Sequence, residues 1–358
     1  TLTEESTQVE LLQARIDALP TVEELSAMET EARDTVIREA YQIDDALTEE
    51  LRAQLDTDKL DAIFDWLNVQ AATQPDDTNE PVGEAGTEKN PWNISAEGEE
   101  NNVAAYLTQN NEDDENPTYT LTISGEGAME EFAWGGDTNP DQANIPPWNN
   151  ERASITAIEL PEGLTTIGTN AFWQTGITEV TIPDGVTYIG NRAFHTTDVT
   201  TEIPASVQEI GVTAFSGDFT VTVASDSPYF EVEDGILYTK GKTHIVKAPT
   251  TFDGENGNYI VPSTVTSVGR FAFSNATQLT SVDFSRAIGL TEIGASAFNG
   301  SGITSVEFPT SVSSLTLGAQ AFYQTKLETL TLPLGLTEVG ANSFRDIETL
   351  ESVTLPAS

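Results

Sequence analysis

The chain has 358 residues, of which 58 are acidic and 15 are basic, so its formal net charge is −43, and it contains no cysteine. This acidity argues against nucleic acid and anionic membrane surfaces as partners. The lack of cysteine excludes disulfides, thiolate metal sites and cysteine nucleophiles. No apolar run reaches the length of about 18 residues that marks a membrane span, so we expect no membrane insertion within this chain.

Residues 1–73 are predicted to form a small helical bundle. Leu12, Ile16 and Leu19 share one face of a helix, and the residues Thr21 to Glu24 form a capping-box pattern that begins a second helix. Further apolar stripes follow as far as Leu67, each on one side of its helix only, so the helices need one another to bury them. The segments 16–20, 46–50 and 59–60 resemble small helical modules of Gram-positive surface proteins.

Residues 74–90 are polar and acidic, with two prolines and two glycines, which is typical of an extended linker. Residues 91–154 are predicted to form an N-terminal cap for the domain that follows. Within this cap we expect Trp148 to close off the core of the first repeat.

Residues 155–358 carry an internal repeat of about 22 residues. Each unit begins with a short alternating strand that mostly ends in proline, as in 177–183, and we call this part the head. The part that follows, the tail, consists of an apolar residue, glycine, two variable residues, a small residue and phenylalanine. The tail phenylalanines are Phe172, Phe194, Phe215, Phe273, Phe298, Phe322 and Phe344. A unit of this length cannot bury a hydrophobic core by itself. We therefore expect the units to stack, which places each phenylalanine between the phenylalanines of the units before and after it.

The stretch 182–194 reads Ile-Pro-Asp-Gly-Val-Thr-Tyr-Ile-Gly-Asn-Arg-Ala-Phe and resembles the unit of the BspA-like, or Treponema-type, leucine-rich repeat family. Residues 121–129 and Pro147-Trp148 resemble the start of such domains in Gram-positive bacteria. The resemblance implies a solenoid, so we expect a multidomain protein in which the predicted helical bundle precedes a right-handed, mainly β leucine-rich-repeat solenoid with a hairpin insertion. It also implies a bacterial protein that is secreted or attached to the cell surface. Such proteins are generally taken to bind other proteins on host or neighbouring cells.

A gap of 58 residues between Phe215 and Phe273 indicates an insertion, which we place near residues 225–258. Residues 227–243 predict a hairpin of two strands with Lys240-Gly241 at its turn, and residues 244–249 resemble a degenerate head. Lys240, Lys242 and Lys247 make this the one locally basic part of the sequence. It is a candidate contact for an acidic partner, although a solvated hairpin tip is the simpler interpretation.

No catalytic constellation is recognisable, and we expect a protein without enzymatic activity. The two histidines, His195 and His244, are distant in sequence, and His195 directly follows a repeat phenylalanine. The equivalent position in other units holds Trp173, Ser216, Ser274, Asn299, Tyr323 and Arg345. Because this position accepts such different side chains, we expect it to be exposed. Trp173, His195, Tyr323 and Arg345 are therefore candidate interface residues, or else ordinary surface residues.

We expect no cofactor and no dedicated metal site. Residues 76–80 and 111–115 are acidic clusters that could hold calcium adventitiously, but both lack the glycine of a calcium loop, so solvated charge runs are the favoured interpretation. Two distant histidines without cysteine make no zinc site.

The favoured function is non-catalytic binding of another macromolecule, most simply protein–protein interaction in adhesion, through the solenoid face. The alternative is a carbohydrate-binding or carbohydrate-active protein that uses Trp92, Trp134 and Trp148. The start at Thr1 is compatible with a removed targeting segment. The residues from Leu355 to Ser358 resemble another repeat head, so we expect the sequence to end within or just after a unit.

Overall fold

The computed structural model describes residues 9, 12–26, 36, 55, 59, 62–63, 85–96, 98, 102–111, 116–133 and 145–355. Contacts divide the chain into two compact units, Thr1–Pro81 and Val82–Ser358. The greater part of the predicted bundle, and residues 74–84 of the predicted linker, lie outside the described residues.

The first unit shows the predicted start of a helix. Residues 12–18 are helical, and a short helix α1 spans Val22–Ser26. The Thr21 N–H donates to Glu24 Oε2 at 2.8 Å, and the Glu24 N–H donates to Thr21 Oγ1 at 3.3 Å, so the predicted capping box is confirmed. The buried apolar residues of this unit are Leu12, Ile16, Leu19, Leu25 and Ile63.

The second unit begins with three antiparallel strands, β1 (Trp92–Asn93), β2 (Val103–Gln109) and β3 (Tyr119–Ala128). After a 3₁₀ turn (Arg152–Ser154), the first repeat supplies β4 (Ile155–Glu159) and β5 (Gly163–Ile167). The N-terminal half of β3 pairs in parallel with β4, and its C-terminal half pairs in parallel with β5. One ten-residue strand therefore covers both the head and the tail of the first repeat.

The repeats then build two rows of short parallel strands. The head strands are β7 (Thr200–Ile203), β9 (Thr220–Val223), β13 (Asn258–Ile260), β15 (Ser281–Asp283), β17 (Ser305–Glu307), β19 (Thr329–Thr331) and β21 (Ser352–Thr354). The tail strands are β6 (Tyr188–Ile189), β8 (Glu209–Ile210), β14 (Ser267–Val268), β16 (Glu292–Ile293), β18 (Ser311–Leu317) and β20 (Leu334–Val339). Together they form a mainly β solenoid of about eight turns.

In the tail row, the apolar residues before the glycines lie in register, so that Val268 faces Ile293 and Ile293 faces Leu317. The glycine that follows is needed for clearance, because a Cβ on Gly294 would lie 2.8 Å from the Arg270 nitrogen of the preceding turn. The bend itself is made by non-glycine residues with positive φ, such as Arg192 at 54° and Ser296 at 55°.

The tail phenylalanines form two separate stacks. The first runs through Phe172, Phe194 and Phe215 with ring centroids 5.4 and 5.5 Å apart. Trp148 caps it at 6.3 Å from Phe172 and donates its indole N–H to Ala171 O at 2.9 Å. The second stack runs through Phe273, Phe298, Phe322 and Phe344, with successive centroids 5.1, 5.2 and 5.6 Å apart. Six of the seven rings are buried and Phe344 is partly buried.

The insertion interrupts both rows of strands and the phenylalanine stack. It consists of three antiparallel strands, β10 (Phe230–Glu233), β11 (Ile236–Thr239) and β12 (His244–Lys247). The turn between β10 and β11 is Asp234-Gly235, with φ of 51° and 79°, whereas Lys240-Gly241 leads into the third strand. Residues 227–243 therefore contain the predicted hairpin of two strands, β10 and β11, but the predicted turn at Lys240-Gly241 is wrong, because Asp234-Gly235 joins these strands.

Strand β12 also differs from its predicted role as a head. It pairs in parallel with the tail strand β14, with Ile245 opposite Val268, so it belongs to the tail row. The parallel ladder selects this register because Ile245 then occupies the buried place that the apolar tail residue holds in other turns.

Candidate functional site

The residues that directly follow a repeat phenylalanine are predicted to be exposed, but in the structure their exposure differs from one turn to another. Trp173 is only 6% exposed, and the Arg152 guanidinium, from the 3₁₀ turn before the first repeat, lies 4.5 Å from its ring centroid. The prediction that Trp173 is exposed is therefore wrong, because the residue is buried. His195 and Tyr323 are half-buried, and Arg345 is exposed.

Tyr323 and Arg345 lie on neighbouring turns, where the Gln324 N–H donates to Arg345 O at 3.1 Å. Both side chains approach Asp346: the hydrogen bond with this carboxylate raises the pKa of Tyr323, and Arg345 Nε lies 3.5 Å from Asp346 Oδ1. The two candidate residues thus form one polar surface, to which neither Trp173 nor His195 contributes a described contact.

His195 lines a cleft of about 430 Å³ at the break between the two phenylalanine stacks. Its Nδ1 shares a 2.6 Å hydrogen bond with Ser216 Oγ, which also accepts the Thr196 N–H at 2.9 Å. Burial, and then the positive charges of Arg192 and Lys247, lower the pKa of His195. The residues after the phenylalanine in other turns, Ser216, Ser274 and Asn299, line the same cleft.

Lys247 lines this cleft from strand β12 and is only 4% exposed. Its Nζ donates to Phe271 O at 2.6 Å and to Ser274 Oγ at 3.4 Å. Burial lowers the pKa of Lys247 to about 8. As part of the predicted basic spot this lysine is expected to be exposed, although its two-residue spacing from Ile245 indicates the same, inward face of a strand.

The other two lysines of that predicted spot remain on the hairpin and are matched there by its own acids. Lys240 Nζ lies 3.9 Å from Glu231 Oε2, and Lys242 forms an ion pair with Glu233. The basic spot expected from the sequence is therefore divided between two places and is partly neutralised at one of them. His244, the other histidine, is half-buried, and its Nδ1 shares a 2.7 Å hydrogen bond with Ser267 Oγ.

A larger concavity of about 1050 Å³ lies where the hairpin meets the head strands β13, β15 and β17. Buried aromatic residues line it, and the hydroxyls of Tyr238 and Tyr259 share a 2.6 Å hydrogen bond. Burial raises the pKa of Tyr238 to about 12 and also raises that of Tyr259. Six carboxylates surround this floor: Glu233, Asp234, Asp253, Glu255, Asp283 and Glu307. We call this feature the acidic concavity, since none of the described residues that line it is basic.

The structure bears on the remaining predicted chemistry as follows. No group of three or more His, Asp or Glu side chains within the described part of the chain is placed to hold a metal ion. The calcium cluster 76–80 lies outside the described residues, as do residues 112–115 of the second cluster. Trp148 is buried and Trp92 packs 6.2 Å from it, so Trp148 offers no face to a sugar, and Trp134 lies outside the described residues. No described helix has the length and apolarity to cross a membrane.

No curated protein matches the chain. Among solved structures, it is similar to the pneumococcal vaccine antigen PcpA (20% identity over 76% of this chain and 82% of that chain, TM-score 0.48). It is also similar to a leucine-rich repeat protein from Eubacterium ventriosum (21% identity over 75% of this chain and 72% of that chain, TM-score 0.42). A third similar structure is a leucine-rich cell surface protein from Faecalibacterium prausnitzii (18% identity over 73% of this chain and 94% of that chain, TM-score 0.41).

A family model described as a BspA-type leucine-rich repeat region matches residues 149–227 and 250–358, in six copies. The interval between the two blocks contains the three strands of the insertion, where the repeat is interrupted. The two blocks together cover more than half of the chain. The chain therefore belongs to the BspA-type leucine-rich repeat family.

Proposed function

We infer that this chain is a non-catalytic bacterial protein, secreted or attached to the cell surface, whose solenoid binds a protein partner. Membership of the BspA-type repeat family supports an interaction role. The absence of catalysis is part of the proposal, and it is supported at the cleft: His195 and Ser216 share a hydrogen bond, but no described residue that lines the cleft is a carboxylate that could orient the imidazole.

The acidic concavity is the observation that carries this proposal. Its lining includes a cross-strand row in which Ile260 faces Asp283 and Asp283 faces Glu307, and Ile260 is 50% exposed. An apolar floor with a rim of carboxylates fits a protein segment that combines an apolar side chain with lysine or arginine. The chain's net charge of −43 would also steer a basic partner toward this surface.

The partner that we propose lies on a host cell or a neighbouring bacterial cell, so that binding serves adhesion. Tyr323 and Arg345 form a second candidate contact, because an exposed arginine beside a half-buried tyrosine is typical of interface anchors. Asp346 holds both side chains, which lowers the conformational entropy that they would lose on binding.

The test is a binding screen of the full chain against extracellular matrix proteins, mucin and bacterial surface proteins by biolayer interferometry. Hits are then compared between two triple variants that change the net charge equally. One variant, Asp253→Asn, Glu255→Gln and Glu307→Gln, neutralises the acidic concavity. The matched control, Glu162→Gln, Asp184→Asn and Glu209→Gln, neutralises exposed acids that do not line it.

We expect at least one protein in the screen to bind, with an affinity that falls about tenfold or more in the first variant and stays within about twofold in the control. Equal losses in both variants would mean that net charge alone drives binding and would exclude the concavity as the site. A screen without any binding protein would count against the function itself.

A further inference from the structure

The cleft that contains Lys247 has a charge opposite to that of the whole protein. Its lining residues include Arg192, His195 and Lys247, together with hydroxyl and amide side chains such as Ser216, Ser274 and Asn299. None of the described lining residues is acidic, although the chain has 58 acidic residues. This local depletion of carboxylates distinguishes the cleft from the acidic concavity, which six carboxylates line.

Lys247 has no carboxylate to balance its charge. No described acidic residue forms an ion pair with it, and its two hydrogen-bond acceptors, Phe271 O and Ser274 Oγ, are uncharged. An ammonium group that is 96% shielded from solvent, with only neutral partners, is unfavourable in a folded protein. An anion bound from outside would supply the missing charge.

Two acids beside the cleft wall are engaged with the protein. Asp198 Oδ1 accepts the Asp218 N–H at 2.9 Å, and the Asp218 carboxylate accepts the Thr251 hydroxyl. Both lie beside Gly217, which forms part of the cleft wall. A carboxylate close to the ammonium would raise the pKa of Lys247, but neither of these carboxylates does so, and burial lowers that pKa. These acids therefore leave the Lys247 ammonium uncompensated.

The neutral groups around Lys247 indicate which kind of anion fits. Threonine, serine and asparagine side chains line most of the remaining wall, and the half-buried Phe271 adds one apolar face. A volume of about 430 Å³ lies in the range of small-ligand sites. A wall rich in hydroxyls and amides matches a polyhydroxylated ligand better than it matches an aliphatic one.

We propose that this cleft binds an acidic monosaccharide, whose carboxylate pairs with Lys247 while its hydroxyl groups meet the surrounding serine, threonine and asparagine side chains. The site arises where the insertion interrupts the repeat, because strand β12 there carries a lysine into the interior beside the second phenylalanine stack. This site shares no lining residue with the acidic concavity. The proposal of a sugar site is therefore independent of the proposal of a protein partner.

The test is isothermal titration calorimetry of the full chain at neutral pH and low salt with D-glucuronate, D-galacturonate and N-acetylneuraminate. D-glucose serves as the neutral comparison and N-acetylaspartate as the acidic ligand without a sugar ring. We expect at least one acidic sugar to bind tenfold or more tightly than glucose and than N-acetylaspartate. Failure of all three acidic sugars, or equal binding of glucose, would overturn the proposal. Equal or tighter binding of N-acetylaspartate would overturn the assignment to a sugar.

Two variants localise the binding. Lys247→Met keeps the apolar stem and removes the charge, and Asn299→Asp places a carboxylate in the wall without changing its volume. Each should lower the affinity for the acidic sugar at least tenfold, with a circular dichroism spectrum like that of the unchanged chain. Asn111→Asp makes the same change on an exposed loop and should leave the affinity unaltered. Unchanged affinity in a folded Asn299→Asp chain would place the sugar elsewhere.

Discussion

At the scale of single residues, the phenylalanine stacks give the repeats most of their specific packing. Phe194 is fully buried between Phe172 and Phe215, whereas Phe344 is partly buried and stacks only on Phe322. Phe194→Ala should lower the free energy of unfolding by about 3–5 kcal/mol, since it opens a cavity within the stack. Phe344→Ala should cost less than half as much. Urea denaturation of the two variants checks this difference, and equal losses would contradict the role of stacking on both faces.

Lys247 gives a residue-scale prediction that concerns pH. Its pKa falls from 10.5 to about 8 on folding, so between pH 8 and pH 10 the unfolded chain holds a proton that the folded chain has released. The free energy of unfolding therefore rises with pH in this window, by about 2 kcal/mol from this group. Lys247→Met should lack the rise. The measurement is the free energy of unfolding of the unchanged chain and of Lys247→Met from pH 7 to pH 10. If the two proteins change in the same way with pH, burial of the ammonium does not destabilise the fold.

At the scale of the repeat element, the tail glycines allow neighbouring turns to approach one another closely. Gly294 and Gly289 lie in the same unit. A Cβ added to Gly294 would lie 2.8 Å from the backbone nitrogen of Arg270, whereas a Cβ added to Gly289 would lie 3.5 Å from the methyl group of Thr266. Gly294→Ala should destabilise by about 1–3 kcal/mol, because the neighbouring turn must move. Gly289→Ala should be neutral or stabilise by up to about 1 kcal/mol, since it restricts the unfolded chain. Chemical denaturation of both variants measures the contrast, and equal effects would argue against clearance as the reason for Gly294.

The same elements show what the sequence could predict. The regular spacing of Phe, Gly and Pro predicted the solenoid, because each unit meets the same neighbours and its pattern is local. The insertion broke that regularity, and the residues 244–249 fitted the head pattern in sequence while the parallel ladder placed them in the tail row. Trp173 contacts Arg152, which precedes the repeats, so the repeat pattern alone does not indicate this contact. The cleft combines Ser216 and Lys247 from opposite sides of the break, so no single motif encodes it.

For the whole molecule, the main electrostatic feature is acidity distributed over its full length. Residues 1–75 have 18 acidic and 5 basic side chains, residues 76–150 have 17 and 1, and residues 151–358 have 23 and 9. Outward positions of the head strands, such as Glu202 and Glu307, place part of this charge on the solenoid surface. The folded state brings these charges closer together than the unfolded chain does, so their mutual repulsion opposes folding.

This repulsion predicts that added salt stabilises the protein. Raising the ionic strength from about 0.01 M to 0.1 M shortens the screening length from about 30 Å to about 10 Å, which removes most repulsion between distant carboxylates. We expect the midpoint of thermal unfolding to rise by several degrees in NaCl, and CaCl₂ at the same ionic strength to raise it by a similar amount. A much larger rise in CaCl₂ would indicate that calcium occupies a specific site, and a midpoint unaffected by either salt would mean that the charge of −43 places no strain on the fold.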